Sequence, residues 1–418
     1  MAAELNLRSR NYWKRLGWGL LVGLLSAMGA YIFIFIMNWG QSLVFPSLTN
    51  WTPFSGPWYM VVLMTLIGLV VGLIHRYTSA RQMDVFDAVN KGKMDSKPVP
   101  PSLLVSILSL IGGFSLGPEV PTGMLSAGLG SWISKKFNLD DETNRTNVIS
   151  GVSGAYSGLF SSPFVVILML LESSHYQTIA YYGTLLIGGL AAAIGFELFY
   201  SLNGMAVSSL LGILSLPSYN MHLFDLFTGI LLGVVAVPVA LIFVILNRGI
   251  QRIVAPLNSK PVIRSTLGGL LLGLLAVAIP TTIGLGTTQM SVVTQQAATI
   301  GIVLLLVFAL AKIIALSGAL NFGFIGGPIF PLLFVGSCIG SVVHLIFPQI
   351  PLALALGCMI VAVPAAVVPI PLALAAIGII VVGVPFMNAL PIFLSALVAF
   401  SITHGLGGGN KKEPEKAA

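Results

Sequence analysis

The sequence predicts an all-α polytopic membrane protein built from two halves of broken helices. Three observations lead there. Of 418 residues, 56% are hydrophobic and 8% charged, whereas a soluble domain carries roughly 25% charged residues. The 46 glycines and 24 prolines are too many for plain spans and imply close-packed, interrupted helices. The chain also resembles itself across the two halves. With so few charges it cannot build a water-soluble surface, which excludes a cytosolic enzyme, a disulfide scaffold and a disordered chain. The net charge of +7 is scattered among apolar runs, so nucleic acid is not an expected partner; the lipid bilayer is.

Taken in order, residues 1–15 form a cytoplasmic N-terminal segment. Arg8, Arg10, Lys14 and Arg15 precede an apolar run from Leu16 to Trp39 with no small-residue cleavage site after it, so this run is expected to stay as the first membrane helix. Lys and Arg cluster at 8–15, 76–97, 135–145, 248–264 and 411–416. Cytoplasmic loops are enriched in such residues, which places every cluster and both termini inside the cell membrane. The uncharged Gly40–Pro57 then faces outward and 58–75 returns. Residues 98–134 allow two helices of ~18 residues, broken at Gly117-Pro118. Further apolar runs at 146–172, 177–200 and 203–216 complete a first membrane half, 16–222. The second half, 223–406, holds runs at 223–247, 265–290, 297–317, 319–348 and the proline-rich 350–403; residues 407–418 read as a disordered tail. Lys312 is the only charged side chain between Arg264 and Lys411 and reads as a structural lysine. Cys338 and Cys358 lie in apolar runs and read as buried single thiols; neither a metal site nor a cofactor is expected.

The repeat has an offset of 210: Gly113–Ser131 and Gly323–Ser341 are identical at seven of 19 positions. Both contain Gly-Pro-x-x-Pro, at Gly117-Pro118-Glu119-Val120-Pro121 and Gly327-Pro328-Ile329-Phe330-Pro331. Gly-Pro ends one helix, and Pro121 and Pro331 each suit the first turn of a new one, where a missing N–H is no loss. Interrupted segments at matching places in two halves point to the binding site of a repeat-built transporter. A helix beginning at membrane depth aims unpaired N–H groups and the positive end of its dipole at what lies before it, and an anion is the natural guest. Starts at Val120–Pro121 and Phe330–Pro331 could converge on one ion without a fixed cation, leaving it weakly enough held to depart.

Glu119 stands at the first break, and an ionisable group at that depth is expected to be functional. Its carboxylate would compete with the anion for the same donors, and protonation would release it. Glu119 is therefore the expected gate, and Gly117, Glu119, Val120, Gly327, Ile329 and Phe330 the expected anion-binding set.

At these residues the sequence resembles the CLC family of chloride channels and proton-coupled anion exchangers, closest to a divergent bacterial branch of ion-transport proteins. Gly117–Pro121 takes the place of the gating motif, Gly151–Glu172 looks like the family's small-residue helix pair, Gly326–Pro331 is similar to the second-half filter, and Lys312 matches a lysine common there. The resemblance implies two inverted-topology halves of tilted and re-entrant helices, a homodimer with one ion path per subunit, and transport of small inorganic anions with no enzymatic activity. Chloride is the default. A proton-coupled chloride or fluoride antiporter is the alternative, and a non-transporting scaffold a lower one. The departures matter. No Gly-Ser-Gly-Ile-Pro loop lies between Tyr77 and Pro101, no tyrosine follows His404, and Pro118 and Pro328 replace residues of the usual site. The family's internal proton acceptor falls on Ser173, leaving Glu172 and His175 as candidates for an internal proton path.

Overall fold

A computed structural model describes residues 9–45, 54–173, 179–204, 209–211 and 214–406. The first eight helices are α1 (Arg10–Val44), α2 (Tyr59–Tyr77), α3 (Val85–Lys91), α4 (Val99–Ile111), α5 (Glu119–Lys136), α6 (Asp141–Leu159), α7 (Pro163–Ser173) and α8 (Ile179–Leu202). The next eight are α9 (Phe224–Val254), α10 (Pro261–Ala278), α11 (Thr287–Gln295), α12 (Ala297–Phe322), α13 (Ile329–Ile346), α14 (Leu352–Ala365), α15 (Pro371–Val382) and α16 (Leu390–Leu406). The division expected at 222–223 lies between α8 and α9. Among the described residues, seven helices are long and apolar enough to cross a membrane.

The two octets pack alike. α1 lies against α4, α6 and α8, as α9 does against α12, α14 and α16; α6 joins α5 to α8, as α14 joins α13 to α16. The halves meet through α2 on α10 and α7 on α15. A Cβ at Gly68 would stand 2.3 Å from the Ser265 carbonyl oxygen, and one at Gly269 2.1 Å from that of Met64. Residue 64 thus faces 269 while 68 faces 265, so α2 and α10 are antiparallel, in contact through their backbones. Small residues make that approach feasible in lipid, where dispersion rather than hydrophobic exclusion drives helices together.

Packing also sorts the helices by composition. The long apolar α1, α2, α9 and α10 present exposed Leu, Ile, Val and Phe outward. The small-residue α6 is buried continuously from Thr146 to Leu159, and α13 from Ile329 to Val343. Polar caps fix the ends outside the apolar layer: an Asp140 carboxylate oxygen accepts from the Thr143 amide at 2.7 Å at the start of α6, and one of Asp84 from the Asp87 amide at 3.1 Å at the start of α3. Arg15 on α1 pairs with Glu142 on α6.

Five of the seven repeat identities now have local causes. Gly113 and Gly323 take positive φ values of 80° and 97°, turning the chain after α4 and α12. Phe114 and Phe324 stack on each other with centroids 3.7 Å apart. Pro118 and Pro328 are the N-cap residues of α5 and α13. Pro121 and Pro331 sit at the third helical position, one residue deeper than expected from the sequence, because α5 begins at Glu119 and α13 at Ile329. Gly130 and Gly340 bring these helices within 2.8 and 2.9 Å, at an added Cβ, of the Asn147 and Ala355 carbonyls.

Candidate functional site

The two helix breaks touch. The Gly117 N–H donates to the Gly327 carbonyl and the Gly327 N–H to the Gly117 carbonyl, each at 2.8 Å. An antiparallel bridge between equivalent residues puts a local twofold axis through the junction, as two inverted repeats require. It also differs from the expectation that these two amides face an anion: each is committed to the other glycine's carbonyl.

Glu119, on the first turn of α5, is 3% exposed. Its Oε1 accepts from the Ile329 amide at 2.7 Å, at the first turn of α13, while Oε2 has no hydrogen-bond partner. The amide dipoles of Phe330 and of Glu119 itself also act on the carboxylate. The glycines make the seat possible. A Cβ at Gly117 would lie 2.0 Å from Oε2, and one at Gly327 2.1 Å from Oε1. Behind the carboxylate, the Tyr156 hydroxyl on α6 donates to the Glu119 carbonyl at 2.7 Å, and the Phe160 and Phe330 rings lie nearly parallel, 6.2 Å apart. The Glu119 side chain thus fills the space in front of the first amides of α13. Val120 lies beside it on the same cavity.

That cavity measures about 400 Å³ and runs from Glu119, Tyr156 and Ile329 to Gln82, Asp84 and the 367–369 loop. Its mouth is on the face carrying the 76–97 charge cluster, where Gln82 and Asp84 are exposed. A second cavity of about 340 Å³ opens at the other end of α2 and α10, lined by Asn38, Gln41, Phe45, Gly284 and Thr287 among others. Its floor is tied to the first break, since the Gly284 amide donates to the Gly113 carbonyl at 2.8 Å. Between the two cavities stand the glycine bridge, the Phe114–Phe324 stack and Glu119.

Lys312 is fully buried but not at this seat. Its Nζ donates into the carbonyls of Thr281, Thr282, Ile283 and Gly284 at 2.7–3.4 Å, beneath the second cavity, with the Phe334 ring centroid 5.2 Å away. Glu172 caps α15: its two carboxylate oxygens accept from the amides of Leu372 and Ala373 at 2.6 and 2.9 Å. The other candidate for an internal proton path, His175, lies outside the described residues. Cys338 and Cys358 are buried free thiols. Sequence reasoning missed Tyr156, a lone aromatic hydroxyl within the small-residue run Gly151–Leu159, and Asp84, which reads as one more charge in a loop cluster.

The family described as "Voltage gated chloride channel" matches residues 69–404. Curated relatives from Salmonella newport and Salmonella typhimurium, both called "Putative ion-transport protein YfeO", are 29% identical over 381 residues, covering 86% of this chain and 87% of theirs. Among solved structures, a slow cyanobacterial Cl⁻/H⁺ antiporter aligns with a TM-score of 0.79 at 18% identity over 94% of this chain and 95% of its own. A CLC-type fluoride/proton antiporter aligns with a TM-score of 0.78 at 20% identity over 95% and 97%. At those identities the likeness is one of fold.

Proposed function

Because the chain belongs to the voltage gated chloride channel family, with anion transport across a membrane as the activity class that membership gives, we propose that Glu119 is the gate of its anion path. The observation that carries this reading is the bond from the Ile329 amide to Glu119 Oε1 at 2.7 Å, in a seat that only glycine at 117 and 327 leaves open. A carboxylate there excludes an anion by occupying its donor and by repelling it. Protonation, or withdrawal of the side chain, frees the amide. Ile329 and Phe330 are the proposed anion contacts, with Val120 on the opposing helix start. Gly117 and Gly327 shape the seat rather than supply donors. The charged face is the proposed cytoplasmic side of the cell membrane, and the proposed assembly is a homodimer. Purified protein in liposomes tests the gate: replacing Glu119 with Ala should raise passive anion efflux, and unchanged efflux from a well-folded variant would reject it.

A second reading, proton-coupled exchange of chloride or another small anion, is favoured by the shared cavity. Exposed Asp84 and buried Glu119 line the same space, so water in it could carry a proton between them without Glu172, whose oxygens are tied to α15. Asp84→Asn should then reduce the proton movement that accompanies anion flux. Equal proton flux in Asp84→Asn and the wild type would remove Asp84 from the path.

A further inference from the structure

Resting on the reading of Glu119's seat as the anion's seat, we infer that the site selects large, weakly hydrated monovalent anions, of the nitrate and thiocyanate class, over chloride and rejects fluoride. The seat is poor in free hydrogen-bond donors. Around the seat, the Gly117 and Gly327 amides are committed to each other. Pro118 and Pro328 have no N–H. The Tyr156 hydroxyl donates to the Glu119 carbonyl at 2.7 Å, and the Thr122 hydroxyl to the Pro118 carbonyl at 2.7 Å. Lys312, the one buried cation of the second half, faces carbonyls beneath the other cavity. What remains for a guest is the Ile329 amide, which alone makes an aligned hydrogen bond in the seat, with the dipoles of Phe330 and Glu119 beside it.

Glu119 itself reports the shortage. It is a buried carboxyl group already in the seat, and only one of its two oxygens finds a hydrogen-bond donor; Oε2 has none. Around it the cavity wall is Met83, Val85, Met169, Val367 and Val368. The exposed polar side chains at the mouth are Gln82, whose amide is beside bulk water, and Asp84, whose negative charge repels anions of every kind.

Selectivity follows from what each anion must give up. A small anion is held by water most strongly, and removing that water is repaid only by several short N–H or O–H contacts. One aligned amide does not supply them. A large anion loses less on dehydration and gains dispersion contacts with methionine sulfur and valine methyls. The cavity of about 400 Å³ has room for a polyatomic guest.

The test is efflux of fluoride, chloride, nitrate and thiocyanate from proteoliposomes held at zero voltage, for the wild type and for Glu119→Ala. Nitrate and thiocyanate should move at least as fast as chloride, and fluoride about tenfold or more slower than chloride, the factor one missing charge-assisted hydrogen bond represents. Pro328→Ala should add a backbone donor at a φ of −91° that alanine adopts freely, and so shift the nitrate-to-chloride ratio toward chloride by up to about tenfold. Met83→Ser, nearer the mouth, should shift it the same way if Pro328→Ala does not fold. Fluoride or chloride outrunning nitrate and thiocyanate, in protein that conducts, would overturn the selectivity while leaving the Glu119 reading in place. No flux of any anion through either protein would overturn both.

Discussion

Removing the carboxylate from position 119 should convert a closed site into an open one by a calculable amount. A hydrogen bond to a charged group contributes about 1.5–3 kcal/mol, and each 1.4 kcal/mol is about tenfold in an equilibrium. The bond from Ile329 to Glu119 Oε1 at 2.7 Å therefore handicaps a competing anion by roughly 10- to 150-fold. The unpartnered Oε2 destabilises the plug and places the effect toward the lower end. Glu119→Gln keeps an acceptor but loses the charge, and a neutral bond of about 0.5–1.5 kcal/mol leaves a weaker plug. Glu119→Ala leaves the amide free. Apparent anion affinity, measured by calorimetry in detergent, should rise in the order Glu, Gln, Ala, and so should efflux from liposomes. Wild-type efflux should also grow as pH falls and the plug is discharged, while both variants stay flat. Equal affinity and equal efflux in all three proteins, each monodisperse and thermally stable, would refute the competition argument.

Two further substitutions probe the same geometry from other sides. Gly327→Ala places a methyl group 2.1 Å from the Glu119 carboxyl carbon, so it should expel the side chain and raise efflux as Glu119→Ala does. In the Glu119→Ala background it should add little, and a double-mutant cycle with fully additive effects would count against the shared seat. Glu172→Ala removes two amide bonds from the start of α15, and should lower stability by about 1–3 kcal/mol, seen as a reduced Tm. Anion selectivity should not change. Loss of proton movement in a Glu172→Gln protein of unaltered Tm would instead place Glu172 in a proton path.

The broken helices and the repeat were legible because proline and glycine impose backbone geometry locally. Gly117-Pro118 and Gly327-Pro328 had to end one helix and start another wherever they lay, and Glu119 stood out as a charge far from any cluster. The packing correspondence of the two halves was not legible. Outside the 19-residue repeat it is carried by contacts such as α1 on α6 and α9 on α14, which unrelated apolar residues make equally well. The mutual pairing of Gly117 and Gly327 was missed for a related reason. A sequence shows which amides a helix start leaves free, but not which distant carbonyl will face them. Tyr156 and Asp84 share that limit: their significance lies in the cavity they border with Glu119, and nothing within either local sequence points to it.

The placement of Glu119 and Lys312 bears on how such a site could turn over. Lys312 would bind an anion far too tightly if it stood at the helix junction. Instead its ammonium group is surrounded by the four carbonyls of residues 281–284, which offset its charge and brace the floor of the second cavity. The junction is left with backbone dipoles alone, each a partial charge fixed in direction by the helix behind it. On the proposed reading, a full negative charge on Glu119 opposes such weak donors and its loss on protonation releases them. A fixed cation at the junction would break that balance, since neither protonation of Glu119 nor an arriving anion could then shift the occupancy by the modest energies that amide dipoles supply.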